Sequence, residues 1–215
     1  MMNKGEIPYT YLALLFFNIF ILNVVLAAIE GNPASSLWFC STLVLVFAVG
    51  LFFRNNLLIS STLVSSFILE GLWTIDIISY LFTRKLVLGI TTYLYDIGTL
   101  RLILTFYHVL LFAVPIIVIL KIKRISTYAW LFSSVHLLIL QVITFIATDT
   151  NVNCVHYTCD SGVFNWIYNL RPEYISNPIF EWLMATLFLF IPANIIFYWI
   201  LKRFWHKKMP KFKYF

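Results

Sequence analysis

Two carboxylates, Glu70 and Asp76, interrupt one long apolar run, and a second apolar run carries Arg101, Thr105 and His108. Ionisable groups held in lipid cost about 2.5–3.5 kcal/mol or more each, so a chain retains them where they carry a function. At about 100° per residue, spacings of four and seven place Arg101, Thr105 and His108 on one helix face. Asp76 is then the natural partner of Arg101, which leaves Glu70 and His108 as groups whose proton affinity burial and neighbours can tune. His108, Glu70 and Asp76 are the candidate catalytic residues. Arg101, Trp73, Tyr80, Thr105, Gln141, Asn151 and Asn153 are the candidate binding residues.

The elements that must position these groups are membrane helices. Of 215 residues, 61% are hydrophobic and 11% charged, and the mean hydropathy is +0.90; soluble domains hold about 25% charged residues. A membrane-spanning helix needs roughly 20 apolar residues. Six such stretches are predicted, at about 9–29, 36–53, 57–82, 99–120, 125–148 and 178–201, each bounded by charge or by Gly, Pro and Asn. The expected fold is an all-α integral membrane bundle forming a single transmembrane domain over 1–215. A loop at 149–177 caps its outer face and a basic tail follows at 202–215. Val25-Leu26-Ala27 resembles a signal cleavage site, but the first apolar run exceeds the usual core of about 7–15 residues and reads as a span.

Charge sets the orientation. With both termini cytoplasmic, the inner side holds Lys4, Arg54, Lys121, Lys123, Arg124 and the basic residues from Lys202 to Lys213, whereas Arg84, Lys85, Arg101 and Arg171 lie outside. That asymmetry follows the positive-inside rule. The segment from Leu86 to Ile97 is too short to span and reads as an interfacial piece on the outer face. In the cap, Trp166, Tyr168 and Tyr174 favour a folded structure. The net charge of +6 sits mostly in the tail, as an anchor on anionic inner-leaflet lipid and not as a nucleic-acid surface.

Depth along these helices brings the polar groups to one level. Glu70 falls near mid-bilayer, and Asp76, Tyr80, Arg101, Thr105 and His108 fall in the outer half. Gln141, Thr144 and Thr148 reach the same level, followed by Asn151 and Asn153, and Glu181 enters from the last span. The expectation is a polar pocket open to the outside. Pro115 and Pro192 are expected to kink their helices.

Structural roles account for the same residues in another way. Asp76 with Arg101 reads equally as an interhelical clamp, Glu70 as a protonated group on a carbonyl, and His108 as a packing residue. His136, His156 and His206 read as packing, loop and tail residues. No His, Cys and carboxylate set has metal-ligand spacing, so no metal or other cofactor is expected. Cys40 falls near the outer end of the second span. Cys154 and Cys159 lie in the cap as a candidate disulfide or as free thiols; a redox Cys-x-x-Cys pair is absent. No phosphate-binding, dinucleotide, Gly-x-Ser-x-Gly or zinc-protease motif occurs. Thr74, Thr105 and Ser79 are the hydroxyls that a His108 base could activate.

Leu69-Glu70-Gly71-Leu72-Trp73-Thr74-Ile75-Asp76, Leu88-Gly89-Ile90-Thr91-Thr92-Tyr93-Leu94-Tyr95-Asp96, Arg101 with His108 and Pro115, and Asn151-Val152-Asn153 recur here in a fixed order. In that order they resemble a family of uncharacterised bacterial polytopic membrane proteins, over roughly Leu69 to Pro178. The chain departs from that pattern after Asn153, where Cys154 and an acidic loop replace an aromatic and a Gly-rich turn. The resemblance implies a bacterial inner-membrane location and transfers no activity. A more distant similarity, carried by helix number, His108 and Pro115, is to the six-span androgen-induced-gene-1-like hydrolases, which cleave lipid esters with Thr and His.

The functional expectation is an outward-facing intramembrane site that binds or handles a lipid or small polar ligand, with Arg101 meeting an anion. The alternatives are a membrane-embedded lipid hydrolase with His108 as base, or a subunit that uses these groups to assemble with a membrane-protein partner.

Overall fold

The computed structural model describes residues 8–89, 91, 99–149, 182, 183 and 185–205. Among these residues every regular element is helical and none is a strand. The elements are α1 (Tyr9–Ile29), a 3-10 turn (Pro33–Leu37), α2 (Phe39–Phe52), α3 (Asn56–Thr83), α4 (Thr99–Thr105), α5 (Tyr107–Ile122), α6 (Ala129–Ala147), a π-helical turn (Thr186–Phe190) and α7 (Ile191–Trp205). Five helical stretches are long and apolar enough to cross a membrane: Tyr9–Ile29, Asn56–Thr83, Thr99–Ile122, Ala129–Ala147 and Thr186–Arg203. The chain is a multi-pass membrane protein.

Local chemistry sets the helix ends. α1 closes in a Schellman arrangement, with Gly31 at φ 71° and the Asn32 N–H donating to Ala27 O at 2.9 Å. The Asn55 side chain caps α3 by accepting from the Leu57 and Leu58 amides at 2.9 and 3.2 Å. α2 has 14 residues, about 21 Å of rise, which is short of a hydrocarbon layer of about 30 Å. The stretch expected to span from Ser36 therefore begins inside a 3-10 turn headed by Pro33. Pro lacks the N–H that an α-helix would need beyond its first turn.

The expected fourth span is divided at Phe106. Phe106 N–H bonds Ile103 O at 3.2 Å and Val109 N–H bonds Phe106 O at 3.1 Å, both three-residue steps. Beside the break, the Thr105 hydroxyl donates to Arg101 O at 2.6 Å, a back-bond that bends helices. Pro115, one of the two expected kink sites, lies inside α5. Pro192 stands at the start of α7, directly after the π-helical turn.

α3 is the centre of the bundle. Its most apolar window is 61% buried, against 28–39% for the other spanning stretches. It packs on α2, α5 and α6, and α1 packs on α2. Small residues make this close approach feasible, since lipid offers no hydrophobic drive for helices to associate. Ser60, Ser61, Thr62, Ser65 and Ser66 are buried along α3. The Ser60 hydroxyl accepts from Ser126 N–H at 3.0 Å, and the Ser133 hydroxyl donates to Ser61 O at 3.0 Å. Asn194 on α7 donates to Ser126 O at 3.1 Å. Phe16 meets Phe47 edge to face at 4.8 Å in a core shared with Leu63, Leu111, Ile119 and Phe190.

Most of the expected cap lies outside the described residues, and with it Asn151, Asn153, Cys154, His156, Cys159, Trp166, Tyr168 and Tyr174. The same holds for Glu181, for His206 and the rest of the tail, and for most of the 86–97 segment.

Candidate functional site

α3, running opposite to α2 and α5, shares with them three reactive side chains at one height. Cys40 stands 12 residues from the end of α2 at Phe52, Glu70 stands 14 residues from the start of α3 at Asn56, and His108 stands 14 residues from the end of α5 at Ile122. At 1.5 Å per residue these are about 18, 21 and 21 Å of rise. The α2–α3 turn is tight, with Asn55 N–H on Gly50 O at 2.8 Å, so equal rise becomes equal depth.

The centre of the site is a contact between Glu70 and His108. Glu70 Oε2 lies 2.5 Å from His108 Nδ1, and the residues are 4% and 7% exposed. The imidazole stacks on Trp73 at 4.2 Å and on Tyr107 at 4.1 Å between ring centroids. The two rings and the carboxylate together restrict its orientation. The Tyr107 hydroxyl donates to Cys40 Sγ at 3.3 Å and lies 3.4 Å from Ser41 Oγ. One ligand atom from each of Cys40, Glu70 and His108 falls within 4.8 Å of the other two. Sequence spacing gave no sign of that grouping, because its members come from three helices.

Arg101 is not the partner of Asp76. Its Nη2 lies 3.1 Å from Glu30 Oε2 and 3.5 Å from Ser35 Oγ. Asp76 is 0% exposed and accepts from the Leu88 amide at 2.6 Å, the Thr91 amide at 3.2 Å and the Thr91 hydroxyl at 3.4 Å. These bonds tie the chain that leaves α3 back to the helix. The break at Phe106 explains the difference, since a uniform 100° step from Arg101 to His108 does not hold across three-residue bonds.

The remaining candidates divide in the same way. Trp73 joins the site, whereas Tyr80 lies under the Arg84 guanidinium at 5.6 Å. Thr105 and Thr74 donate to backbone carbonyls of Arg101 and Glu70, each at 2.6 Å, and Ser79 donates to Lys85 O at 2.8 Å. All three hydroxyls expected as nucleophiles are thus engaged with the backbone. Gln141 is buried, and its Oε1 has no hydrogen-bond partner among the described residues. His136 lies against Phe39, with Nε2 3.2 Å from Thr42 Oγ1.

Cys40, Tyr107, Ser41 and Glu30 are the residues that sequence reasoning left out of the site. Cys40 was expected near the outer end of the second span and Glu70 near mid-bilayer, yet the structure brings the two together. The rotation of Cys40 toward α3 and α5 was not legible either. No protein-family model, curated protein or solved structure matches the chain.

Proposed function

We propose that the chain is a six-span bacterial inner-membrane protein with cytoplasmic termini, whose intramembrane site opens outward and binds or handles a lipid or small polar ligand. The supporting observation is the buried Glu70–His108 pair, flanked by Trp73 and Tyr107. Paired ionisable groups at such depth are expensive and mark ligand or proton paths. Eleven of the fifteen Lys and Arg residues fall on one side in the topology that places both termini inside. Arg101, with Glu30, stands at the outward end in this topology and is the natural first contact for an anionic headgroup.

The test is purification of the full chain with native lipid, beside His108→Ala and Asp76→Asn, followed by mass spectrometry of what remains bound. A defined lipid or metabolite retained by the parent protein and lost in His108→Ala supports the site. Asp76→Asn, which acts on the chain after α3, is expected to retain more of it. Identical lipid profiles in all three would overturn the ligand reading and favour an assembly subunit.

One observation favours a second reading, a membrane-embedded lipid hydrolase. A carboxylate on one imidazole nitrogen is the arrangement that orients a His base. The backbone engagement of Thr74, Thr105 and Ser79 shifts the source of a nucleophile in that reading to Cys40 or to an activated water. Hydrolysis of lipid esters by the parent protein, abolished in His108→Ala, is the outcome that selects it.

A further inference from the structure

We infer that Cys40, Glu70 and His108 form a binding site for one divalent transition-metal ion of the zinc class. This goes beyond the ligand reading and stands whether or not a lipid occupies the same region. A thiolate, an imidazole and a carboxylate are the donors that zinc accepts, with bonds of about 2.0–2.3 Å. Ligand atoms arranged tetrahedrally around one such ion lie about 3–4 Å apart, by the same bond lengths. The three candidate atoms here are already within 4.8 Å of one another. Small side-chain rotations complete the geometry, and the 2.5 Å contact between Glu70 and His108 opens as the ion enters.

The donor set also selects the class of ion. Magnesium and calcium prefer all-oxygen shells, whereas a mixed sulfur, nitrogen and oxygen set suits zinc and its neighbours. Charge leads to the same conclusion: a thiolate and a carboxylate carry two negative charges, which a dication cancels, and buried charge survives in an apolar interior when paired or metal-bound. On binding, the Cys40 thiol gives up its proton as the metal–sulfur bond forms, and any proton shared by Glu70 and His108 leaves as well. No electron is transferred, and the released protons pass to solvent.

The surroundings supply the supporting shell that a metal site needs. The Tyr107 hydroxyl, donating to Cys40 Sγ at 3.3 Å, aims the sulfur. Trp73 and Tyr107 hold the imidazole plane. Three protein donors leave a fourth position for water or for a ligand oxygen, which is the pattern of catalytic and not structural zinc.

The test uses the full chain without a polyhistidine tag, in detergent with native lipid, carrying Cys154→Ser and Cys159→Ser so that Cys40 is the sole thiol of the three cysteines. After chelation, cobalt(II) is titrated in. The expected result is a saturable thiolate-to-cobalt charge-transfer absorption at one ion per chain, displaced by zinc, with a rise in Tm. Cys40→Ser removes the absorption. Glu70→Gln and His108→Ala weaken cobalt binding at least tenfold, and Tyr107→Phe keeps the absorption while weakening binding about tenfold. Folded parent protein that shows no charge-transfer band overturns the proposal, as does a band unchanged by Cys40→Ser. Lipid retention measured on the same preparation separates the two readings, because cobalt binding and lipid binding can each fail alone.

Discussion

Glu70 on α3 and His108 on α5 meet through Oε2 and Nδ1 at 2.5 Å, 38 residues apart in the chain. Each is the polar group that the other needs beside a largely apolar core. The pair ties the central helix to the helix that follows the break at Phe106, so it is a structural link as well as the centre of the candidate site.

A double-mutant cycle measures that link. Glu70→Ala and His108→Ala each lower stability in detergent, and the double variant is expected to recover a coupling of about 1–2 kcal/mol, the upper range for polar contacts between membrane helices. Additive losses would show that the two groups act independently.

The partner of Arg101 is open to the same method. Arg101 and Glu30 are partly exposed, at 27% and 42% of the side chain, so Arg101→Ala is expected to cost no more than about 1 kcal/mol. Coupling is expected with Glu30→Ala and none with Asp76→Ala. A cycle showing strong coupling to Asp76 would contradict the observed pairing.

Asp76→Asn is expected to loosen the chain beyond α3. An amide has one carbonyl oxygen, whereas the carboxylate serves Leu88 and Thr91 with two. The loss is about 1–3 kcal/mol, the cost of a poorly satisfied buried group. Hydrogen exchange at the Leu88 and Thr91 amides should quicken while exchange in α2 stays unchanged.

Two glycines in the bundle should respond unequally. A Cβ at Gly50 would stand 2.9 Å from Leu58 Cβ and 3.1 Å from the Ile59 backbone nitrogen, whereas at Gly71 it would meet the edge of the Phe112 ring at 3.1 Å. Backbone does not yield as a ring does. Gly50→Ala is expected to cost about 1–3 kcal/mol, as overpacking does, and Gly71→Ala less. Thermal unfolding in detergent ranks them, and the reverse order would refute the packing described at the α2–α3 turn.

The amino-acid order alone carried the class of the protein and the extent of its elements. The expected span at 9–29 coincides with α1, and that at 57–82 lies within one residue of α3 at each end. Apolar run length and the Asn, Gly and charged residues that stop a helix are local signals, so they can be read without knowing the fold. Depth was legible only coarsely: constant rise per residue put Glu70 near mid-bilayer, His108 in the outer half and Cys40 near the outer end of its span, whereas the folded chain brings the three together. Partnership was not local. Rotation of each helix about its axis, and the change of phase where Thr105 back-bonds to Arg101 beside the break, depend on how side chains pack across helices. Those contacts turned Arg101 to Glu30, Asp76 to Leu88 and Thr91, and Cys40 toward Tyr107, Glu70 and His108. Tertiary packing therefore decided which buried groups share a site, because a helix's sequence sets how deep a side chain lies and only its neighbours set where that side chain faces.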